Sequence, residues 1–287
     1  MEHTADDKAK TIWINGSLID EDKAHVSVFD HGLLTGDGVF ETMIAYNSVP
    51  FAFTRHYNRL KKSASAFSLK VPEFELLRDA CIEVLKKNNL FPSRLRITIT
   101  GGPSPLGSEK GDAAENIIIA SSLAPIQPET SRVITVSYPR NQHGALAGLK
   151  TTSYGENVIA LADAHSQGAR EAIFGNVSGD LCEGTGSNIF VFHSQKLITP
   201  PLSSGCLAGV TRSLVIEICN KLDIPVFEDN IKLELLEGVE FAFLTSTLRE
   251  VQAIESVNGT SLSGTSSPVI KKIKSEFERL ISTNNDP

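Results

Sequence analysis

L-K-T-T-S-Y-G-E-N at residues 149–157 and N-V-S-G-D-L-C-E-G-T-G-S-N at 176–188 bracket a helix-patterned run, and together they decide how this chain is read. The first places Lys150 in a loop between an apolar stretch and a helix start. In the second, Glu183 follows a strand and opens a turn rich in Gly, Thr and Ser. Either residue alone is ordinary, and a lysine in such a setting is usually a solvated surface group. As a pair they suggest an amine that condenses with a carbonyl and a carboxylate set against a pyridine ring.

Working outward, the hydroxyl residues Thr151, Thr152 and Ser153 can cap a helix that runs to Gln167 and stops at Gly168. Val158, Ile159, Leu161, Ala162 and His165 fall on or near one of its faces. Strands are expected at Glu171–Gly175 and Asn188–Phe192, and again at Phe241–Leu244. L-A-G-V-T-R (207–212) feeds a helix with Leu214, Val215, Ile218 and Leu222 inward, and Pro268–Ile281 closes with an amphipathic helix.

Upstream, Thr11–Ile14 and Leu18-Ile19 flank Asn15-Gly16, whose tolerance of positive φ predicts a tight hairpin. Val26–Phe29 reads as a short strand. Gly32, Gly36 and Gly38 then punctuate a loop that enters a strand over Val39–Tyr46. Leu60, Ala64 and Phe67 recur at helical spacing after Thr54 or His56, and Pro72–Asn89 gives a second helix. Leu95–Thr100 and Asn116–Ser121 are strands around a turn-rich loop, and Val133–Tyr138 is a further strand. Leu123–Arg132 holds two prolines and no periodicity, so it reads as a linker between a small N-terminal α/β domain, 1–122, and a larger domain, 133–287.

Composition narrows the class. The 287 residues are 41% hydrophobic and 21% charged with a net charge of −7, which leaves no basic footprint for nucleic acid. No apolar run approaches the ~18–20 residues that cross a bilayer. Met1–Lys10 is polar, lacks the apolar core of a secretory signal and reads as a frayed tail, so a cytoplasmic location is expected. Cys81, Cys182, Cys206 and Cys219 show no paired metal-ligand spacing and read as reduced packing residues, with no metal site expected.

L-K-T-T-S-Y (149–154), C-E-G-T-G-S-N-I-F (182–190) and L-A-G-V-T-R (207–212) resemble the class IV, fold-type IV enzymes of pyridoxal 5′-phosphate (PLP). That family includes branched-chain and D-amino acid aminotransferases, (R)-amine transaminases and 4-amino-4-deoxychorismate lyases. The similarity covers roughly Ile12 to Leu280. It implies a mixed α+β or α/β, two-domain, D-amino acid aminotransferase-like fold with PLP in the interdomain cleft, and a homodimer whose active sites borrow residues across the interface.

The resemblance also implies roles. Lys150 forms the aldimine and shuttles the proton. Arg59, in H-x-x-R-L at 56–60, holds the PLP phosphate, a task suited to a permanently charged fork. Glu183 keeps the pyridine nitrogen protonated, so that the ring draws electrons. Tyr154 is the candidate partner of the phenolate oxygen, although it stands one residue nearer the lysine than in branched-chain enzymes. Val210 and Thr211 match the phosphate-binding pair, Thr247 matches another phosphate ligand, and the Thr247–Leu248 backbone matches part of the carboxylate site.

T-G-D-G-V-F-E (35–41) is similar to the pocket segment of D-amino acid aminotransferases and the lyases, making Phe40 and Thr42 pocket candidates. Branched-chain enzymes commonly carry arginine where Ile44 stands here, and the 102–108 loop lacks the arginine and histidine of D-amino acid enzymes. Arg96 is the nearest replacement, with a surface ion pair as its competing reading. The activity implied is transfer of an amino group from an amino acid or primary amine to a 2-oxo acid. The alternative is a lyase releasing 4-aminobenzoate and pyruvate from aminodeoxychorismate. A non-catalytic PLP-binding protein is a third possibility, opposed by the presence of Lys150, Arg59 and Glu183 together.

Overall fold

The computed structural model describes residues 10–287, so the tail expected over Met1–Lys10 lies, except for Lys10, outside the described residues. The chain divides into two compact units. Among the described residues the first comprises 10–125, 150–153 and 285–287; the second comprises 126–149 and 154–284.

In the first unit the elements are β1 (Thr11–Ile14), β2 (Ser17–Asp20), α1 (His31–Leu34), β3 (Gly38–Tyr46), β4 (Val49–Pro50), α2 (Phe53–Ala66), α3 (Phe74–Asn88), β5 (Ser93–Thr100) and β6 (Asn116–Leu123). The strands form a six-stranded antiparallel sheet in the order β2-β1-β6-β5-β3-β4. Asn15 and Gly16 make the expected turn, with φ of 49° and 96° and Ile14 paired to Ser17. Along β3, Val39, Met43 and Ala45 enter the core with Leu60, Ala64, Leu77 and Val84 from α2 and α3. Burying Phe53, His56, Tyr57, Leu60, Ser63 and Ala64 gives α2 an inward stripe at helical spacing.

The second unit contains β7 (Thr130–Thr135), α4 (Gly155–Ser166), β8 (Glu171–Gly175), β9 (Leu181–Gly184), β10 (Asn188–His193), β11 (Lys196–Thr199), α5 (Val210–Lys221), β12 (Val226–Glu228), β13 (Phe241–Ser246), β14 (Glu250–Val257), β15 (Thr260–Ser261) and α6 (Pro268–Thr283). Its sheet runs β12-β11-β10-β13-β14-β7-β8-β9, with β15 on β14. The pairs β11/β12, β14/β7 and β7/β8 are parallel and the others antiparallel.

Two expectations are corrected. Val26–Phe29 forms no strand; Val28 and Phe29 sit in a turn ahead of α1, with Asp30 capping α1 through Gly32 N. Thr151–Ser153 do not cap α4, which begins at Gly155 with no side-chain cap. Thr152 and Ser153 hydroxyls donate instead to the Gly36 carbonyl, at 3.0 and 3.1 Å. In α4 Val158 and Ile159 are exposed, and the helix packs through Asn157, Ala160 and Ala164.

Candidate active site

In the first unit, Lys150 is fixed by its own backbone. Its N–H donates to Ser63 Oγ at 3.1 Å, and its carbonyl accepts from Phe40 N at 3.1 Å. Thr152 N donates to Gly38 O at 2.8 Å, and Thr151 bridges Val39, so 150–152 lies antiparallel to the start of β3. The loop expected from sequence is thereby held as rigidly as a strand. Its side chain places Nζ 4.3 Å from the centroid of the Phe40 ring.

The same ring lies 3.7 Å from the Arg96 guanidinium carbon, and Arg96 Nε also donates to Thr98 Oγ1 at 3.0 Å. Register explains the grouping: Phe40 pairs with Thr98 and Thr42 with Arg96 across β3 and β5. Phe40, Thr42, Arg96 and Lys150 are therefore neighbours.

Alternation sends Glu41 the other way, into the core side of β3, where its side chain is fully buried. A lone buried carboxylate would be costly, and α2 supplies the answer. Arg59 forks onto it, Nε to Oε1 and NH2 to Oε2, both at 2.7 Å, and His56 Nδ1 lies 2.7 Å from Oε2. Burial alone would push the Glu41 carboxyl up, but Arg59, seconded by His56, holds it down at about 2. Burial pushes the His56 imidazole down, with the Arg59 and Lys150 charges adding to that against the pull of Glu41. His56 is then neutral, and its Nδ1, facing an acceptor, carries the proton. This trio fixes the plane and the charge of Arg59.

In the second unit, Glu183 stands on β9 with Oε2 accepting from Leu207 N at 2.9 Å and Oε1 3.7 Å from Arg140 Nε. Arg140 is held over the Phe174 ring at 4.2 Å and bonds Glu156 Oε2 at 2.9 Å. The Tyr154 hydroxyl donates to Thr185 O at 3.2 Å, and Asn157 Nδ2 donates to the same carbonyl at 2.6 Å. Val210 and Thr211, both buried, form the first turn of α5, whose N-cap Gly209 contributes no side-chain bond. A Cβ on Gly209 would stand 1.9 Å from Asn188 Oδ1, so the backbone there is pressed against β10. Thr247 and Leu248 lie in the turn joining β13 to β14.

Residues 38–257 match the family described as amino-transferase class IV. The chain belongs to that family. This class IV aminotransferase is 35% identical over 273 residues to a Methanocaldococcus jannaschii protein named "Putative branched-chain-amino-acid aminotransferase", covering 93% of this chain and 95% of that one. Among solved structures it is similar to the branched-chain amino acid aminotransferase of Escherichia coli, with TM-score 0.88 and 29% identity over 95% of this chain and 94% of that one. It is also similar to a Legionella pneumophila protein named "Putative 4-amino-4-deoxychorismate lyase", with TM-score 0.85 and 26% identity over 90% and 96% of the two chains. The fold of this class IV aminotransferase is thus the fold-type IV arrangement that its motifs resemble.

Sequence reasoning did not assign functions to Glu41, His56, Arg140 or Glu171. Glu41 had a signal: it is a carboxylate at a core-facing position of an otherwise apolar alternation, opposite a helix with His56 and Arg59 three apart. Arg140 had none, since it sits in an irregular stretch and meets Glu183 only through the fold.

Proposed function

We propose that this aminotransferase binds PLP and moves an amino group from an apolar amino acid to a 2-oxo acid, with Lys150 as its catalytic residue. Membership of class IV, whose enzymes use PLP, supports the cofactor. The observation that carries the catalytic assignment is the clamped backbone of Lys150, which aims one amine over Phe40.

The residues fit the chemistry of PLP. In the first unit Arg59, whose plane Glu41 sets, is suited to a phosphate, and in the second so are the first N–H groups of α5, where no side chain caps the helix. Thr211 and Thr247 would add hydroxyls there, and Val210 a backbone N–H. Glu183 offers a carboxylate to a protonated ring nitrogen, and Tyr154 a hydroxyl to the phenolate. When bound, PLP supplies an electron sink that stabilises negative charge at the substrate α-carbon.

The chain's own residues do the rest. The Lys150 amine would hold the cofactor and would move the proton at the substrate α-carbon. In the first unit Arg96 is suited to a substrate carboxylate, and Phe40 and Thr42 to walling its side chain; in the second, the Thr247–Leu248 turn is suited to a carboxylate. An apolar donor is favoured by the names of the most similar proteins. The second reading, the lyase, is supported by the G-D-G-V-F segment and by the likeness to the Legionella protein.

Borohydride reduction of the PLP-loaded protein, followed by peptide mapping, should place the fixed cofactor on Lys150. Lys150→Ala should lose turnover by at least about a thousandfold, the scale on which a positioned acid–base group and its covalent role act. Wild-type turnover in Lys150→Ala would remove the assignment. Release of 4-aminobenzoate from aminodeoxychorismate without an oxo acid would select the lyase.

A homodimer is also proposed. Val28 is 70% exposed, Leu33 on α1 69% and Leu106 77%, and the segment 29–31 is tied to 102–104 by Ser104 N to Phe29 O and His31 N to Gly102 O. Exposed apolar side chains of this kind suit a second copy. The four buried, unpaired cysteines suit the reducing cytoplasm.

A further inference from the structure

Glu171 opens β8 almost wholly buried, and none of the roles above uses it. Its surroundings are all donors. Oε1 accepts from Ala172 N at 3.1 Å, from Thr185 N at 2.9 Å and from the Thr185 hydroxyl. Oε2 accepts from Ser187 Oγ at 2.9 Å, with Arg249 NH2 at 3.5 Å. An ionised carboxylate offers about four acceptor sites, so this one is saturated. An apolar residue of the same shape would take an acceptor from two buried hydroxyls, two backbone N–H groups and a guanidinium, of which the Thr185 N–H keeps the Ala172 carbonyl at 3.1 Å.

The partners are not scattered. Thr185 and Ser187 belong to the turn that follows Glu183, and Gly184 is packed so closely there that a Cβ would lie 2.4 Å from Ser187 Oγ and 3.1 Å from Glu171 Cδ. The Thr185 peptide is gripped on both sides, its N–H by Glu171 and its carbonyl by Tyr154 and Asn157. Arg249 belongs to the turn of Thr247 and Leu248. There its N–H bonds Ser246 Oγ at 3.2 Å, NH1 bonds Gln252 Oε1 at 2.6 Å and NH2 bonds Arg170 O at 3.0 Å. One carboxylate thus meets both turns, and through Thr185 it governs where the Tyr154 hydroxyl points.

We propose that Glu171 is a positioning residue of the aminotransferase: it sets the Gly184–Ser187 turn beside Glu183 and Tyr154, and through Arg249 the turn of Thr247 and Leu248. The inference rests on the reading of those four residues as cofactor and substrate contacts. It deepens that reading by making their placement depend on one buried charge. A brace that merely held β8 in the sheet would affect stability but not ligand constants.

The test compares wild type, Glu171→Gln, Arg249→Gln and Lys150→Ala as purified full-length proteins. Melting temperature, PLP dissociation constant by absorbance titration of the stripped protein, and donor KM and kcat are measured well below melting. Glutamine keeps the size and one acceptor but turns a donor toward Arg249. Folded Glu171→Gln should raise both the PLP dissociation constant and the donor KM by about tenfold or more, the scale of one charge-assisted bond. Arg249→Gln should raise donor KM with its melting temperature near wild type.

A lower melting temperature in Glu171→Gln, with both constants within about twofold of wild type, would reduce Glu171 to a brace and overturn the inference. If Glu171→Gln does not fold, Arg249→Gln decides: a raised KM supports the inference, and an unchanged KM overturns it. Turnover surviving in Lys150→Ala would instead overturn the site reading itself, and this inference with it.

Discussion

Glu41 shows how one residue can be both a stability and a binding element. Removing its charge leaves Arg59 buried against a neutral amide, and breaking a buried pair costs about 3–5 kcal/mol. Glu41→Gln should therefore unfold at markedly lower urea and, because Arg59 loses the partner that orients it, bind PLP more weakly. A urea titration beside a PLP titration checks both. The position of Glu41 was legible in the alternation of Val39, Glu41, Met43 and Ala45. What answers it was not, because His56 and Arg59 become its partners only once α2 lies on that face of β3. Lys150, Arg59 and Glu183 were legible from local motifs, whereas Arg140 and Glu171 act through contacts that spacing does not encode.

Helix α5 carries the next prediction. A methyl at Gly209 would meet Asn188 Oδ1, so Gly209→Ala must displace Asn188, whose Nδ2 bonds Leu207 O at 2.9 Å. Leu207 N is in turn a donor to Glu183. The expected result is a stability loss of about 1–3 kcal/mol together with weaker PLP retention, read by thermal melts and absorbance titration. Elements with a strong hydrophobic period were legible: α2, α3, α5 and α6 fall close to the expected positions. Misreadings arose where burial was incomplete. Apolar residues in Val26–Phe29 imitate a strand, yet Val28 and Phe29 are exposed. In α4 small residues, Ala160 and Ala164, rather than branched ones are buried, a choice that apolar periodicity alone does not make.

For the molecule as a whole, pH dependence follows from three buried groups. The hydrogen bond that His31 donates to Asp37 is the largest of the effects that raise its imidazole above 6.5, so its stabilisation is present below 6.5 and fades as pH climbs through the raised value. Burial lowers His56, so the unfolded chain takes up a proton near 6.5 that the folded chain refuses, and stability falls as pH drops. Near neutrality the two slopes oppose each other. Urea midpoints between about pH 5 and 8 should tilt toward alkaline stability in His31→Asn and toward acid stability in His56→Asn. Glu41 acts lower: its contribution is present above 4.5 and is lost as pH falls toward about 2. The proposed homodimer gives a further test: under that proposal Leu33→Asp, on α1, should shift sedimentation from dimer to monomer.

The last residues have a consequence in time. Ala52 N donates to Asn285 O at 2.7 Å, Thr54 N to Asp286 Oδ1 at 2.9 Å and Arg55 Nε to Pro287 O at 2.7 Å, and these bonds serve the start of α2 where Ala52 offers no side-chain cap. During synthesis the helix bearing Arg59 leaves the ribosome long before its partners are made. The first unit is therefore translated early for the most part, but its bonds to 285–287 close only after residues 126–284 have been made.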